Sequence, residues 1–348
     1  MLTGEDAGIT AEGHLMEPKS DRIESIGDLM DIVAGYWSSR AILTAHELGV
    51  FTALGDGSLT ADELAGRVEC PPRSIGLLAN ALVGLGLLTK DSGRFANGPF
   101  AQGHLVRGRG DDLTGYLGHH AMLWNRWSSL TATVRAGRGE PSGGEMPPEV
   151  TRAFIMAMHA SSSHWSSRLV DHLDLAGITR ILDVGGGSGD YSYALLRRLP
   201  EATAVIFDLP AVVPITMECA ALAGVADRVE TRAGSYWEDE LGEGFDLAIV
   251  SNILHSADPD GCVTILAKAF RALAPGGRVV IHDFVLGEDG TTPRWAALFS
   301  LNMLSAGNDG RSYTQAELQE FALKAGFQAA ESTQCSGDTG IVVARRGG

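Results

Sequence analysis

The chain has 348 residues, 45% hydrophobic and 20% charged, which predicts a globular protein long enough for two domains. Its net charge of −16 argues against nucleic acid or an anionic membrane as partner, because both attract clustered Lys and Arg. The four cysteines are scattered without a CxxC pair, so no zinc site or disulfide framework is predicted. No apolar run approaches the ~18 residues of a membrane span, and the acidic N-terminus lacks a signal-peptide core. We therefore expect a cytoplasmic protein in which residues 1–22 form a flexible tail.

Residues 23–110 have the pattern of a small helical domain. Apolar residues at spacings of three and four predict helices at its start. Thr60 and Glu63 form a capping-box pattern that opens a further helix, and PPRSIGLLANALVGLGLL predicts the next one. LTKDSGRFANG then predicts a hairpin with Asp91–Gly93 in its turn. Helices followed by a hairpin are the layout of a winged helix.

Winged helices often bind DNA, so the charge of this segment is informative. Between Ser58 and His104 there are four basic and four acidic residues, which leaves no basic face. The helix in the position of a recognition helix is almost entirely apolar. A buried or subunit-interface role is therefore favoured over nucleic-acid binding, and we expect a homodimer joined through this domain.

Residues 111–165 are predicted to link the two domains and to contribute to a substrate pocket. A long helix is predicted over 111–137, with Trp124 and Trp127 in its second half. A Gly- and Pro-rich linker follows, and VTRAFIMAMHASSSHWSSRLVDHLDL predicts another helix.

Residues 166–348 alternate between short apolar strands and helices. RILDVGGG, ATAVIFDLP, RVETRAGS, FDLAIVSNILH and RVVIHDFVL are predicted strands, with amphipathic segments between them. This alternation predicts an α/β domain with a Rossmann-like, doubly wound, mostly parallel sheet. Ligands of such sheets bind at the carboxyl ends of the strands.

A glycine-rich turn follows the first of these strands. In LDVGGGSGD, glycines at 185, 186, 187 and 189 allow a tight turn and a close approach of the backbone to a ligand. Such a turn alone is a weak signal. The second strand, however, ends in Asp208, roughly 20 residues beyond the last glycine, where a carboxylate accepts hydrogen bonds from ribose hydroxyls.

Two classes of cofactor compete for this turn. A dinucleotide site prefers G-x-G-x-x-G, but position 190 is Asp, which would repel a pyrophosphate at the helix start. Asp183, just before the glycines, suits a positively charged ligand. S-adenosylmethionine fits these residues, because it carries a ribose, an ammonium group and a sulfonium but no phosphate.

The motifs together resemble those of the small-molecule O-methyltransferases of the caffeate and hydroxyindole type, including bacterial members that act on aromatic natural products. The resemblance extends over roughly residues 25–345 and rests on LVGLGLL, LDVGGGSG, VIFDLP, LAPGGRVVIHDFVL and SLNMLSAGNDGRSYTQAELQEFALKAGF. It implies a homodimeric enzyme with S-adenosylmethionine as cofactor and a small aromatic acceptor. No metal is expected, because no cluster of His, Asp and Glu with ligand spacing appears near the site.

The resemblance also implies the residues that contact the cofactor. Gly185 and its neighbours would approach the methionine portion, and Asp208 would hold the ribose hydroxyls with Leu209 against the adenine. Ser235 and Tyr236 stand where many relatives have Asp–Met, so the serine removes an expected adenine acceptor. The remaining cofactor contacts implied by position are Gly187, Ser251, Met158 and Ser162.

His255 is the candidate base. Phenols have pKa values of about 10, so a histidine at the end of a strand in this sheet is suited to take the hydroxyl proton. Taken alone, such a histidine is at least as well explained as a hydrogen-bonded structural residue. The resemblance favours catalysis, because the family's catalytic histidine falls at this strand end.

Asp283 is the candidate partner that orients His255. It ends the following strand, where relatives carry an acid, and a carboxylate there fixes the tautomer of the base. His282 is its neighbour in the strand and should point to the opposite face, outside the mechanism. Two family acids are replaced by Ser256 and Ser312, which leaves a single carboxylate beside the histidine.

The acceptor pocket is expected between the domains, where aromatic and Met side chains suit a flat substrate. Asn302 is the polar residue among them and is a candidate hydrogen-bond partner for a substrate oxygen. The other predicted lining residues are Trp124, Trp127, Met158, Trp295, Phe299 and Met303.

The predicted function is methyl transfer from S-adenosylmethionine to a phenolic hydroxyl of an aromatic natural product, of an antibiotic or polyketide type. Methylation of carbon or nitrogen on the same fold remains an alternative. So does a relative that binds the cofactor without transferring methyl and acts as a hydroxylase, decarboxylase or cyclase.

Overall fold

The computed structural model of the chain describes residues 23–109, 112–140, 147–307, 309–335 and 338–348. The predicted tail over residues 1–22 and the side chains of residues 161 and 164 lie outside that description. Within it, none of the helices is both long enough and apolar enough to cross a membrane.

The helices are numbered here in chain order. They are α1 (Ile26–Ala34), α2 (Tyr36–Glu47), α3 (Val50–Leu54), α4 (Ala61–Arg67), α5 (Pro72–Gly84), α6 (Pro99–His104), α7 (Thr114–Ser128), α8 (Leu130–Ala136), α9 (Pro148–Asp171), α10 (Asp190–Arg198), α11 (Val213–Leu222), α12 (Pro259–Ala272), α13 (Arg294–Ser305) and α14 (Gln315–Lys324).

The strands belong to a small N-terminal sheet and a large C-terminal one. They are β1 (Ser58–Thr60), β2 (Leu88–Asp91), β3 (Arg94–Asn97), β4 (Arg180–Val184), β5 (Thr203–Asp208), β6 (Val229–Ala233), β7 (Phe245–Ser251), β8 (Leu273–Leu286), β9 (Tyr313–Thr314), β10 (Ala329–Gln334) and β11 (Thr339–Arg345).

The N-terminal domain is built as the sequence predicts, with helices followed by a hairpin of β2 and β3. The capping box is present: Thr60 Oγ1 accepts from the Glu63 amide at 3.2 Å, and Glu63 Oε2 accepts from the Thr60 amide at 2.7 Å. The short strand β1, which joins the hairpin in the order β1-β3-β2, was not predicted. Three residues are too few to show a strand's alternation.

The linker region differs from its prediction in one respect. The single helix expected over 111–137 is divided into α7 and α8. Ser129 is the C-cap of α7 and the N-cap of α8. The next helix, α9, runs for 24 residues and packs against both α7 and α10. It therefore lies between the linker segment and the C-terminal sheet.

The large sheet has the order β10-β11-β8-β7-β4-β5-β6, with β9 paired to β8. Pairing is parallel from β6 to β8 and antiparallel for β11 and β10. Apolar clusters cover both faces: Leu182 and Val184 belong to one, and Ile181 belongs to the other. Burial on both faces is typical of a doubly wound sheet, so this prediction is confirmed.

The strand that precedes His255 is shorter than predicted. β7 ends at Ser251, and His255 lies in a 3₁₀ turn formed by Leu254–Ser256. The reason is local: Asn252 has a positive φ of 55°, which ends the extended backbone before the apolar residues run out. The histidine is thus carried by a turn that follows the strand.

Gly310 lies in the loop after α13 and packs directly on that turn. A Cβ at this position would lie 2.5 Å from the Ala257 carbonyl oxygen and 2.7 Å from the Ala257 nitrogen, and it would also clash with the His255 carbonyl oxygen. These are backbone atoms, so no side-chain rotation relieves the contact. Gly310 is therefore required by close approach.

We expect Gly310→Ala to destabilise the protein by about 1–3 kcal/mol, since the added methyl group overpacks the turn. The measurement is the thermal midpoint of unfolding, beside Gly103→Ala as a matched control, because a Cβ at Gly103 meets nothing within 4 Å. Equal midpoints for the two variants would contradict the steric role of Gly310.

Candidate active site

The parallel register brings several strand ends to one edge of the sheet. Ser251 pairs with His282 across β7 and β8, and Val184 pairs with Phe207 across β4 and β5. The residues that follow these positions therefore lie side by side at the carboxyl edge, which is where such sheets bind ligands.

His255 and Asp283 meet at this edge. His255 Nδ1 lies 2.6 Å from Asp283 Oδ1, and the His255 amide donates to Asp283 Oδ2 at 3.2 Å. The side chains are 12% and 4% exposed, so the pair is largely withdrawn from water. Because the carboxylate accepts at Nδ1, the Nδ1–H tautomer is favoured and the Nε2 lone pair points away from the aspartate.

His282 faces the other side of the sheet, as predicted. Its Nδ1 lies 3.0 Å from Ser251 Oγ, which also accepts from Asn252 Nδ2 at 3.2 Å. Burial lowers the pKa of His282 to about 4, so the ring is neutral near pH 7. Ser251, a predicted cofactor contact, thus uses its hydroxyl in a buried network within the sheet.

The glycine turn is shaped by left-handed backbone. Gly185, Gly187 and Gly189 have φ values of 63°, 56° and 87°, which residues with a Cβ rarely adopt. The Gly187 amide donates to Asp208 Oδ2 at 2.7 Å, and the Leu209 amide donates to Oδ1 at 2.7 Å. Burial raises the pKa of Asp208, and these two backbone hydrogen bonds oppose that shift.

This turn fits the ribose and the cationic groups of S-adenosylmethionine. Asp208 is preoriented by two amides and retains acceptor capacity for hydroxyl groups. Asp183 lies behind the turn and accepts from Ser192 Oγ at 2.7 Å, and burial raises its pKa to about 7. The Asn252 side-chain oxygen is buried at the same edge without a partner among the described residues, which leaves an acceptor for a bound donor.

Tyr236 lies between the glycine turn and the turn that carries His255. A Cβ on Gly185 would lie 3.3 Å from Tyr236 Cε1. Burial raises the pKa of the Tyr236 phenol, and the nearby Ser256 partly opposes that shift. Ser235 begins the same loop: its amide donates to Asp239 Oδ2 at 2.8 Å, and its hydroxyl accepts from the Trp237 amide. Leu209 is 52% exposed, so it has surface available to pack on a ligand.

Helix α9 brings Ser162 to Asp190, which follows the glycine turn. Ser162 Oγ lies 2.5 Å from Asp190 Oδ2 and 2.8 Å from the Met158 carbonyl oxygen. His159 contacts the same carboxylate. From the sequence, Asp190 was expected only to repel a pyrophosphate. Side chains from helix α9 and helix α10 therefore meet at Asp190.

Aromatic side chains form a wall beside His255. Phe299 meets the imidazole edge-on at 4.8 Å between centroids, and Phe284 lies 4.6 Å from Phe299. Trp295 extends the group at 6.5 Å from Phe284. The predicted Phe299 and Trp295 thus come together. Phe284, which follows Asp283 in β8, was not predicted.

The other predicted pocket residues are placed in two ways. Trp127 Nε1 donates to Asn302 Oδ1 at 3.0 Å, which ties α7 to α13, and Met303 is buried on the same helix. Trp124 packs instead against α2, with its ring 6.4 Å from Tyr36 and 5.5 Å from the Arg40 guanidinium. It is not brought to the aromatic wall.

The two serines at family acid positions use their hydroxyls on the backbone. Ser256 Oγ donates to the Ile253 carbonyl at 2.7 Å, and the fully buried Ser312 donates to the Ala296 carbonyl at 2.9 Å. Asp283 is accordingly the carboxylate in contact with His255 in the described structure.

Family models match most of the chain. A model of the O-methyltransferase dimerisation domain matches residues 30–107, and a model of the O-methyltransferase domain matches residues 127–328. The first range lies within the winged-helix domain, and the second includes α8, α9 and the sheet strands from β4 to β9.

Individual relatives agree with the family models. The tetracenomycin polyketide synthesis 8-O-methyl transferase TcmO of Streptomyces glaucescens is 32% identical, over 92% of this chain and 96% of the relative. The 3-hydroxy-5-methyl-1-naphthoate 3-O-methyltransferase of Streptomyces sahachiroi is 33% identical, over 90% and 93%. The structure of PigF with SAH superposes with a TM-score of 0.84 at 25% identity, over 92% of this chain and all of that one. The chain therefore belongs to the O-methyltransferase family and is an S-adenosylmethionine-dependent O-methyltransferase.

Proposed function

We propose that this enzyme methylates a phenolic hydroxyl of an aromatic natural product, with His255 as the general base. The observation that carries the proposal is the 2.6 Å contact between His255 Nδ1 and Asp283 Oδ1. Bound S-adenosylmethionine supplies an electrophilic methyl group on its sulfonium. The protein has to hold the acceptor oxygen beside that methyl and remove the hydroxyl proton.

His255 is equipped to remove that proton. With Nδ1–H donated to Asp283, the Nε2 lone pair is the free basic site on the ring, and Asp283 stabilises the imidazolium once the proton has moved. The low exposure of both groups strengthens this electrostatic support, because little water screens it. The phenol oxygen, relieved of its proton, becomes the nucleophile.

The surroundings of His255 favour an aromatic acceptor. Phe299, Phe284 and Trp295 offer ring faces and edges to a planar substrate. Asn302 is the polar residue of this pocket. Its side-chain oxygen accepts from Trp127 Nε1, so its side-chain nitrogen would donate to a substrate oxygen. We assign these residues and Met303 to the acceptor pocket.

We assign the cofactor to the glycine turn. Asp208 would accept from the ribose hydroxyls, and Leu209 would pack on the adenine. The loop of Ser235 and Tyr236 closes the adenine side, and Gly185 and Gly187 allow the methionine portion to approach the backbone. Met158 and Ser162 on α9 face the same turn, and Ser251 supports it from β7.

A homodimer is the proposed assembly. Helix α1 and the start of α2 expose apolar side chains in the single chain, and the matched dimerisation domain includes most of them. An exposed patch of this kind needs a cover, and a second copy supplies one. The exposed residues are Ile26, Leu29, Met30, Ile32, Val33, Tyr36 and Trp37.

His255→Gln is expected to lower kcat by ~10²-fold or more, because proton removal is lost. The affinity for the product S-adenosylhomocysteine (SAH) should be unchanged. Asp283→Asn should lower kcat by ~10² or more as well, since an amide at this position favours the wrong imidazole tautomer. Exposed His172, at the end of α9, provides the control variant His172→Gln, which should match the wild type. A wild-type rate for His255→Gln would remove this residue from the mechanism.

The acceptor class is tested by release of SAH with a panel of phenols, aromatic amines and activated aromatic carbons. We expect turnover with a hydroxylated polycyclic or naphthoate-like acceptor and a product methylated on oxygen, as identified by mass spectrometry and NMR. Turnover confined to amines or carbon would replace the proposed acceptor. Cofactor binding without SAH release on any acceptor would contradict methyl transfer.

The assembly is tested by light scattering after gel filtration. Wild-type protein should have twice the 36.7 kDa chain mass, and the double variant Met30→Glu, Trp37→Glu should fall to the mass of one chain. Leu222→Glu is the matched control, because Leu222 on α11 is 85% exposed outside the patch. A wild-type monomer, or equal dissociation of the control, would contradict the proposed interface.

A further inference from the structure

A buried carboxylate with several donors lies at the start of α10. Asp190 is 6% exposed, and its Oδ2 accepts from Ser188 Oγ at 2.6 Å and Ser162 Oγ at 2.5 Å. His159 Nδ1 lies 2.9 Å from Asp190 Oδ1 and 3.1 Å from Oδ2. This site is separate from the pair formed by His255 and Asp283.

His159 is on the face of α9 that covers the glycine turn. Ile155, His159 and Ser162 are spaced by four and three residues, so they share one helix face. Ile155 Cδ1 lies 3.9 Å from the position of a Cβ on Gly187, and Ser162 reaches Asp190. His159 lies between these two contacts and is therefore also directed to the turn.

One ring nitrogen of His159 is left for a ligand. Nδ1 is held by Asp190, whereas Nε2 has no hydrogen-bond partner among the described residues. The side chain keeps 33% exposure although its partner is almost fully buried. Asp190 raises the pKa of His159, because the carboxylate stabilises the imidazolium.

The acidic side chains around the turn would repel the carboxylate of the cofactor unless a hydrogen-bond donor faces it. Asp183, Asp190 and Asp208 all flank the glycines, whereas the amino-acid end of S-adenosylmethionine carries a carboxylate as well as an ammonium group. The arginines described on α9 are engaged elsewhere: Arg152 pairs with Glu218 at 2.7 Å, and Arg168 lies over the Trp165 ring. Among the described residues, His159 is the basic side chain that contacts Asp190 beside the turn.

We propose that His159 donates from Nε2 to the α-carboxylate of the bound cofactor, with Asp190 holding the opposite nitrogen. The inference rests on the cofactor placement proposed above. It also gives Asp190 a function: its carboxylate would disfavour a pyrophosphate, and it would orient the His159 ring towards the cofactor carboxylate.

The test compares two ligands that differ only in the carboxylate: SAH and 5′-deoxy-5′-(3-aminopropylthio)adenosine. Their Kd values are measured by calorimetry for the wild type and for His159→Gln. We expect the variant to bind SAH about tenfold more weakly, the scale of one charge-assisted hydrogen bond, and to bind the decarboxylated ligand within about twofold of the wild type. His172→Gln is the control, since it lies about 20 Å further along the helix and should change neither value.

Asp190→Asn provides a second variant, with the same selective loss of SAH affinity expected as the imidazolium loses its counter-charge. Equal weakening of both ligands in His159→Gln would assign the residue to packing and overturn the proposal, as would unchanged SAH affinity. Wild-type protein that binds neither ligand would instead contradict the cofactor placement itself.

Discussion

The parallel pairing of β8, β7, β4 and β5 is the constraint on which the site depends. In that register the four strands end at the same edge of the sheet, so residues distant in the chain become neighbours without any long loop. The turn with His255, the strand end with Asp283 and the glycine turn all meet there. Apolar packing on both faces holds the strands in place, and this packing also fixes the backbone that carries the polar residues at the edge.

The four aspartates at this edge differ through their partners. Asp283 accepts from an imidazole and two backbone amides, which suits it to orient a base. Asp208 is held by two amides and faces the proposed ribose. Asp190 is saturated by side-chain donors from α9 and from the turn, and Asp183 is buried behind the glycines beside Ser192. The same residue type thus has four different sets of hydrogen-bond partners at this edge.

Helix α9 connects the two halves of the molecule. It packs on α7 along one side and on α10 along the other, and its face towards the glycine turn carries His159 and Ser162. Trp127 and Asn302 make a second tie between linker and catalytic domain, close to the aromatic wall.

The sequence by itself determined the alternation of helices with the parallel strands β4 to β8, the glycine turn and Asp208, but not the strands β1, β9, β10 and β11. The features that it determined follow from local periodicity and from the rule that parallel strands end at a common edge. The pairing of His255 with Asp283 was expected only from the resemblance to the small-molecule O-methyltransferases. The sequence overestimated β7, because the positive φ of Asn252 leaves no trace in the apolar pattern.

Only the tertiary structure decided which side chains contact one another across different helices. Trp127 and Asn302 pair across 175 positions, Trp124 turns to α2, and Asp190 meets His159 from another helix. Such contacts depend on how helices pack and on the direction of each side chain. A helical spacing specifies the face on which a residue lies, but the element that covers that face is set by the packed fold.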